Sequence, residues 1–137
     1  VMAGNILLEV VTPAKAVVNE EVQTVVAPGV LGEFGVLIGH TPFLTTIQTG
    51  AIRYIDAQGK ENHVFVSGGF AEALPDKVTI LAESAERRKD IDLERAEAAR
   101  KRAEERMAKK DKDDKIDAIR AEAALRRALV RIKLASS

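Results

Sequence analysis

Apolar and polar side chains alternate through the first 83 residues, and a helical period takes over beyond them. Ile6-Leu7-Leu8-Glu9-Val10-Val11 reads as a strand stopped by Thr12-Pro13, because proline fixes its own φ and donates no ladder hydrogen bond. Val17-Val18 and the run from Val22 to Val26 follow, the latter ending at Pro28-Gly29. Further strands are expected over 35–38, 43–48, 51–56, 62–67, 69–74 and 78–82, all short, rich in Val, Ile, Thr and Phe, and punctuated by glycine or proline. Asp56-Ala57-Gln58-Gly59-Lys60 looks like a hairpin connection, and Pro75-Asp76 another turn. About ten strands at this spacing predict an all-β sandwich or flattened barrel. A parallel α/β nucleotide fold is poorly served, since no amphipathic helix separates the strands.

The second pattern predicts two helices, over about 90–108 and 115–134, folded as an antiparallel hairpin. Asp90 is placed to cap the first, with Asp92 and Glu94 in its first turn. Its apolar stripe is Leu93, Ala96, Ala99/Ala103 and Met107; that of the second is Ala118, Ala121, Leu125, Ala128/Leu129 and Ile132. Lys109 to Lys115 has no apolar member and reads as the connection. Burying a leucine or isoleucine contributes roughly 1.5–3 kcal/mol and alanine much less, so such a pair is expected to be marginal alone and able to change its docking. A permanently packed hairpin is the alternative. The expected domains are 1–85, an amino-terminal β-sandwich, and 86–137, a carboxy-terminal helical hairpin.

Composition sharpens this division. The 137 residues balance 21 Lys/Arg against 21 Asp/Glu. Residues 1–83 nonetheless carry 4 basic and 9 acidic side chains, and residues 84–137 carry 17 and 12. All 9 glycines lie at or before Gly69 and all 4 prolines at or before Pro75, so nothing interrupts helix beyond that point. There is no cysteine, which excludes disulfides, cysteine-ligated metals and thiol nucleophiles. No apolar run is long enough to predict a membrane span, and no signal segment is evident, so a cytoplasmic location is expected.

Catalytic chemistry is sparse. His40 and His63 fall in different segments and neither sits in a metal-ligand pattern. Ser67-Gly68-Gly69 lacks the lysine and long loop of a phosphate cradle and better suits a bend or bulge. Gly29 to Gly35 matches no dinucleotide fingerprint. Nucleic acid is an unattractive partner, because the basic half is laced with acids and has no aromatic residue for stacking. Arg120, Arg127 and Arg131 are spaced by seven and four, and Asp92, Arg95 and Arg102 share one sector of the first helix. Facing sectors would gather guanidinium groups suited to phosphate oxygens; a solvated, salt-bridged surface is the other reading.

The chain closely resembles the epsilon subunit family of bacterial F-type ATP synthases over essentially its whole length. The resemblance is carried by Gly32-Glu33-Phe34-Gly35-Val36-Leu37-Ile38-Gly39-His40-Thr41-Pro42-Phe43-Leu44, Gly50-Ala51-Ile52-Arg53, Ser67-Gly68-Gly69-Phe70 and Ala82-Glu83-Ser84-Ala85-Glu86-Arg87, followed by the helices. The family commonly has proline before the Gly-His pair, where this chain has Ile38. The resemblance implies a non-catalytic central-stalk subunit. It would join the gamma subunit to the rotor ring of c subunits and couple proton or sodium flow to ATP synthesis in the alpha/beta hexamer, peripheral to the membrane on its cytoplasmic face. It places Glu33 near the rotor ring and His40 near gamma. The helices would be an inhibitory element, compact or extended toward the alpha/beta hexamer, with Arg120, Arg126, Arg127 and Arg131 as basic contacts.

Ile91-Asp92-Leu93-Glu94-Arg95-Ala96 further resembles the ATP-binding motif of epsilon subunits of the Bacillus-like type. That likeness implies ATP as a regulatory ligand held by Leu81, Glu86, Ile91, Asp92, Arg95, Ala96, Arg102, Arg127 and Arg131, favouring the compact state. Magnesium has no clear place in it, since no acidic pair is set for octahedral coordination. Two other functions fit the residues alone: a free ATP-sensing module, and a non-catalytic β-sandwich scaffold.

Overall fold

The computed structural model describes residues 4–109 and 115–137. Its contacts divide the chain into two compact units, Val1–Arg88 and Lys89–Ser137.

The first unit holds seven strands: β1 (Ile6–Val11), β2 (Ala16–Gly29), β3 (Gly32–Val36), β4 (Phe43–Asp56), β5 (Glu61–Leu74), β6 (Lys77–Ala82) and β7 (Ala85–Arg87). They number fewer than the roughly ten expected because three pairs of neighbouring runs fuse, while β7 lies outside the nine segments named from the sequence. Val17-Val18 and Val22 to Val26 are one strand, as are 43–48 with 51–56 and 62–67 with 69–74. Local composition marks the interruptions, but cross-strand pairing runs through them: β4 and β5 keep one antiparallel register from Phe43↔Ala73 to Ile55↔Glu61. The order is β1-β6-β5-β4-β2-β3, and β1 also pairs with β2, so the ribbon closes on itself as a flattened barrel. β1–β6 is its one parallel pairing among the described residues. Irregularities at Val22/Thr24 and Val26/Gly29 let β2 leave β1 for β4.

The alternation read in the sequence becomes the two faces of the sheet. Ile6, Leu8 and Val10 of β1 are fully buried, as are Val22 and Val25 of β2, Ile52 of β4, Val64 and Val66 of β5, and Val78 and Ile80 of β6. Gly68 and Gly69 stand where β5 exchanges partners, from β7 at Val64 to Val66 to β6 at Gly69 to Leu74. Their φ values are +108° and +141°, a region that L side chains rarely adopt. A Cβ on Gly69 would run into the Leu81 carbonyl oxygen. The bend expected at Ser67-Gly68-Gly69 is therefore a strand corner, pinned by Ser84 Oγ to Ser67 Oγ at 2.7 Å and by Glu83 N–H donating to Gly68 O at 3.0 Å.

The second unit has α1 (Leu93–Ala108) and α2 (Lys115–Ser136), α1 preceded in the chain by a 3₁₀ turn at Arg88–Asp90. The cap of α1 is Asp92 and not Asp90: Asp92 is extended (φ −84°, ψ 103°) and its side chain accepts the Arg95 N–H at 3.0 Å. Asp90 is used up in the 3₁₀ turn, which shifts the helix start by two residues. Lys109 closes α1, donating its N–H to Glu105 O at 3.1 Å. The rest of the charged connection expected from the sequence, 110–114, lies outside the described residues. α1 and α2 pack against one another. Sixteen residues of helix are about 24 Å long, and the connection from Lys109 to residue 114 spans at most about 20 Å. A parallel return is thus out of reach, and the helices run antiparallel.

Candidate functional site: an arginine edge on the helix pair

The buried side chains of the helix pair are nearly all alanine: Ala96 and Ala103 on α1, Ala121 and Ala128 on α2, with Leu134 near the end. Each pair is seven residues apart, so each helix turns one narrow small-residue stripe toward its neighbour. Leu93, Met107 and Leu129, expected in the apolar stripes, stay 41–48% exposed. Small seam residues bring the helix axes close and bury little area.

An arginine stands immediately before every one of these alanines, as Arg95-Ala96, Arg102-Ala103, Arg120-Ala121 and Arg127-Ala128. One residue corresponds to 100° of rotation, so each arginine flanks the seam on the same side of its own helix. Antiparallel helices see that rotation in opposite senses. The two sets of arginines therefore project from the same edge of the pair; in a parallel pair they would part to opposite edges. Arg131 falls in the same sector as Arg127. Among the described residues, Arg95, Arg102, Arg120 and Arg127 have no acidic partner within ion-pair distance.

The residue after three of the alanines is glutamate: Glu97, Glu104 and Glu122. These occupy the opposite edge, where arginines pair with them. Arg100 bridges Glu97 at 2.9 Å and Glu104 at 2.8 Å, and Arg126 reaches Glu122 at 3.8 Å. Arg126, grouped by the sequence reading with Arg120, Arg127 and Arg131, is thereby set apart from them. One edge of the helix pair is a salt-bridged set of three glutamates and two arginines, and the other is a row of guanidinium forks whose mutual repulsion an anion would relieve.

The remaining expected site residues are placed as follows. Asp92 is exposed with one carboxylate oxygen committed to its cap, Ile91 is partly buried beside it in sequence, and Ala96 lies in the seam. In the sheet unit, Leu81 is 55% exposed on β6 and pairs with Phe70 of β5, while Glu86 is partly buried on β7 and pairs with Phe65. Glu33, on β3 just beyond the Val30-Leu31 hairpin tip, accepts from the Arg53 guanidinium at 3.3 Å. Leu31 at that tip is 98% exposed. His40 follows β3 in a turn, where its Nδ1 lies 2.7 Å from Thr41 O and its ring meets Phe43 edge-on at 5.0 Å. His63 is partly buried on β5; burial and the nearby Arg88 and Arg53 hold its pKa down against the opposing pull of Glu61. Among the described residues no cluster of His, Asp or Glu could hold a metal ion, and no helix is long and apolar enough to cross a membrane.

Sequence reasoning missed Arg87 as a structural hub. Its Nε donates to Val17 O at 3.1 Å and its NH1 to the Tyr54 hydroxyl at 3.2 Å. The missed signal was pairing across distant strands, which single-strand alternation does not carry.

Comparison with known proteins agrees with both units. A family described as "ATP synthase, Delta/Epsilon chain, beta-sandwich domain" matches residues 5–88, and one described as "ATP synthase, Delta/Epsilon chain, long alpha-helix domain" matches residues 89–136. The ATP synthase epsilon chain of Desulforapulum autotrophicum is 60% identical over 133 residues, 97% of either chain. That of Nitratidesulfovibrio vulgaris is 53% identical over 133 residues, again 97% of either chain. Among solved structures, a chain of the Euglena gracilis mitochondrial ATP synthase (OSCP/F1/c-ring) has a TM-score of 0.82 at 24% identity, covering 100% of this chain and 84% of its own, a likeness of fold. With both of its units matched in order and near-full-length relatives far above 30% identity, this chain belongs to the Delta/Epsilon chain family of ATP synthases.

Proposed function

We propose that this epsilon-type subunit works in the central stalk as a coupling element whose helix pair is set by ATP. The chain is a non-catalytic, regulatory component of an ATP synthase, with the gamma subunit, the c-ring and the alpha/beta hexamer as partners. Its sheet unit is the anchor. In this reading Glu33 and the exposed Val30-Leu31 tip face the rotor ring, and His40 with the adjoining strand faces gamma, peripherally on the cytoplasmic side of the membrane.

The helix pair is the regulatory part. The observation that carries this reading is the single edge formed by Arg95, Arg102, Arg120 and Arg127 beside a seam of alanine. The residues fit a polyphosphate: guanidinium forks match phosphate oxygens, and a bound anion removes like-charge repulsion along the edge. Arg95, Arg102, Arg127 and Arg131 would hold the phosphates, with Arg120 beside them. Ile91, Asp92 and Ala96 would receive the base, and the Asp92 oxygen not engaged in capping is a candidate acceptor for its amino group. No acidic residue is assigned to magnesium, which would enter only with the nucleotide. A ligand that binds only the closed helix pair shifts the population toward it by mass action. Freed of ATP, the same arginine edge is available to acidic surfaces of the alpha/beta hexamer, where it would oppose hydrolysis.

Isothermal titration of ATP into the full chain tests the nucleotide reading. Heat of binding is expected for the wild type, with at least about tenfold weaker binding for Arg102→Gln or Arg127→Gln, each removing one charge-assisted contact. Arg100→Gln, on the opposite edge, should bind like the wild type. Absence of heat, or equal loss in all three variants, would overturn it. Reconstituted hydrolysis with a chain ending at Arg88 tests the inhibitory arm: activity should rise relative to the full chain.

A further inference from the structure

The chain leaves the sheet unit through β7, three residues that pair with one strand, β5. A terminal strand that short has few ladder hydrogen bonds to hold it. Arg87 at its end adds two side-chain bonds: Nε to Val17 O on β2 at 3.1 Å and NH1 to Tyr54 Oη on β4 at 3.2 Å. Tyr54 is 1% exposed, and its hydroxyl in turn bonds Glu20 of β2. Burial first, and the Glu20 bond second, push its pKa up to about 12, so it remains a neutral phenol that can donate to the carboxylate and accept from the guanidinium. The other end of β7 is fixed separately, since Ser67 N–H donates to Ser84 O at 3.1 Å and Ser84 N–H to Ser67 Oγ at 3.0 Å. The exit strand thus has one side-chain fastening at the serine corner and another at Arg87.

We infer that Arg87 is a latch on the tether of the helical unit, with Val17 and Tyr54 as its catch. Closed, the latch makes the connection to the helices begin after β7. Open, it lets Ala85–Arg87 peel from β5 while the serine corner holds, and three more extended residues lengthen the reach of the helices by about 10 Å. Peeling withdraws Ala85 from the sheet core, whose other members all lie outside β7. The functional consequence rests on the regulatory reading above; the latch itself does not.

Hydrogen exchange on the full chain reads the latch directly. In Arg87→Ala the amides of Glu86 and Arg87 should exchange about tenfold faster or more, with those of β5 beyond Gly69 and of β6 unchanged. Tyr54→Phe, which keeps the ring and removes one of the two catches, should give a smaller change confined to the same amides. No acceleration in either variant, or acceleration shared by the whole sheet, would overturn the latch. In the reconstituted synthase, Arg87→Ala and a chain with three residues inserted after Arg88 should change inhibition of hydrolysis in the same direction, and ending the chain at Arg88 should abolish both effects. Opposite directions, or an insertion effect without an Arg87→Ala effect, would refute tether control. If instead truncation itself changes nothing, the regulatory reading fails while the exchange data still decide the latch.

Discussion

Gly69→Ala isolates the strand corner on which the exit to the helices depends. Two costs are separable there. The backbone sits at φ +141°, and an L side chain in positive-φ space costs about 1–2 kcal/mol. The new Cβ also meets the Leu81 carbonyl oxygen, and lies 2.9 Å from both Ala82 Cα and Leu81 C. These are backbone atoms of the paired strand and cannot rotate away, so overpacking adds about 1–3 kcal/mol. The sum, about 2–5 kcal/mol, is set against a stability of about 4–13 kcal/mol for an 88-residue unit at typical values per residue. Gly59→Ala is the control: φ is +85° but nothing lies within 4 Å, leaving the backbone cost alone. The chain has one tyrosine and no tryptophan, and Tyr54 is in the sheet core, so urea unfolding followed by tyrosine fluorescence reports that unit without interference from the helices. Gly69→Ala should lose about 1–3 kcal/mol more than Gly59→Ala. Equal losses would show that the corner is not sterically closed.

Three other outcomes follow from particular residues. The Tyr54 pKa is raised from 10.0 to about 12, so between those values the unfolded chain has released a proton that the folded chain still holds; stability should fall as pH rises from 10 toward 12, and the alkaline unfolding of Tyr54→Phe should lack that component. Ala128→Leu forces a large side chain into a fully buried seam position and should loosen the helix pair by about 1–3 kcal/mol, seen as faster exchange of α1 and α2 amides with the sheet unaffected. Asp92→Ala should cost about 1 kcal/mol of α1 stability through its lost cap, and Asp92→Asn should restore it, as read by exchange at Arg95 and Ala96; failure of asparagine to rescue would mean the carboxylate charge matters more than the cap.

The sheet unit was legible because burial on one face forces a period of two, and β1 shows it without interruption: Ile6, Leu8 and Val10 inside, Leu7, Glu9 and Val11 partly exposed. What alternation could not show was continuity. Glycine and proline mark local breaks, yet Gly50 and Gly68 lie inside long strands because pairing with a neighbour carries the ladder past them. The helices were legible from an absence of breakers, but the start of α1 was misplaced by two residues because Asp90 and Asp92 are equally good caps by composition. Only the 3₁₀ turn decides between them. The arginines were visible as spacings on each helix. Their shared edge needed the antiparallel pairing and the identity of the buried alanines, since the exposed Leu93 and Met107 look like better core residues than Ala96 and Ala103. Arg87 was invisible for a related reason: its partners, Val17 and Tyr54, are distant in sequence and ordinary in type.

The central claim is that the sheet unit is a fixed anchor and the alanine-seamed helix pair is a switchable element closed by ATP on its arginine edge. Hydrogen exchange of the full chain with and without saturating ATP tests it most directly. The account predicts marked slowing at amides of 93–108 and 117–136, largest near Arg95, Arg102 and Arg127, with the buried strands of the sheet unchanged. Identical exchange of the helices in both conditions, or slowing spread evenly over both units, would contradict it.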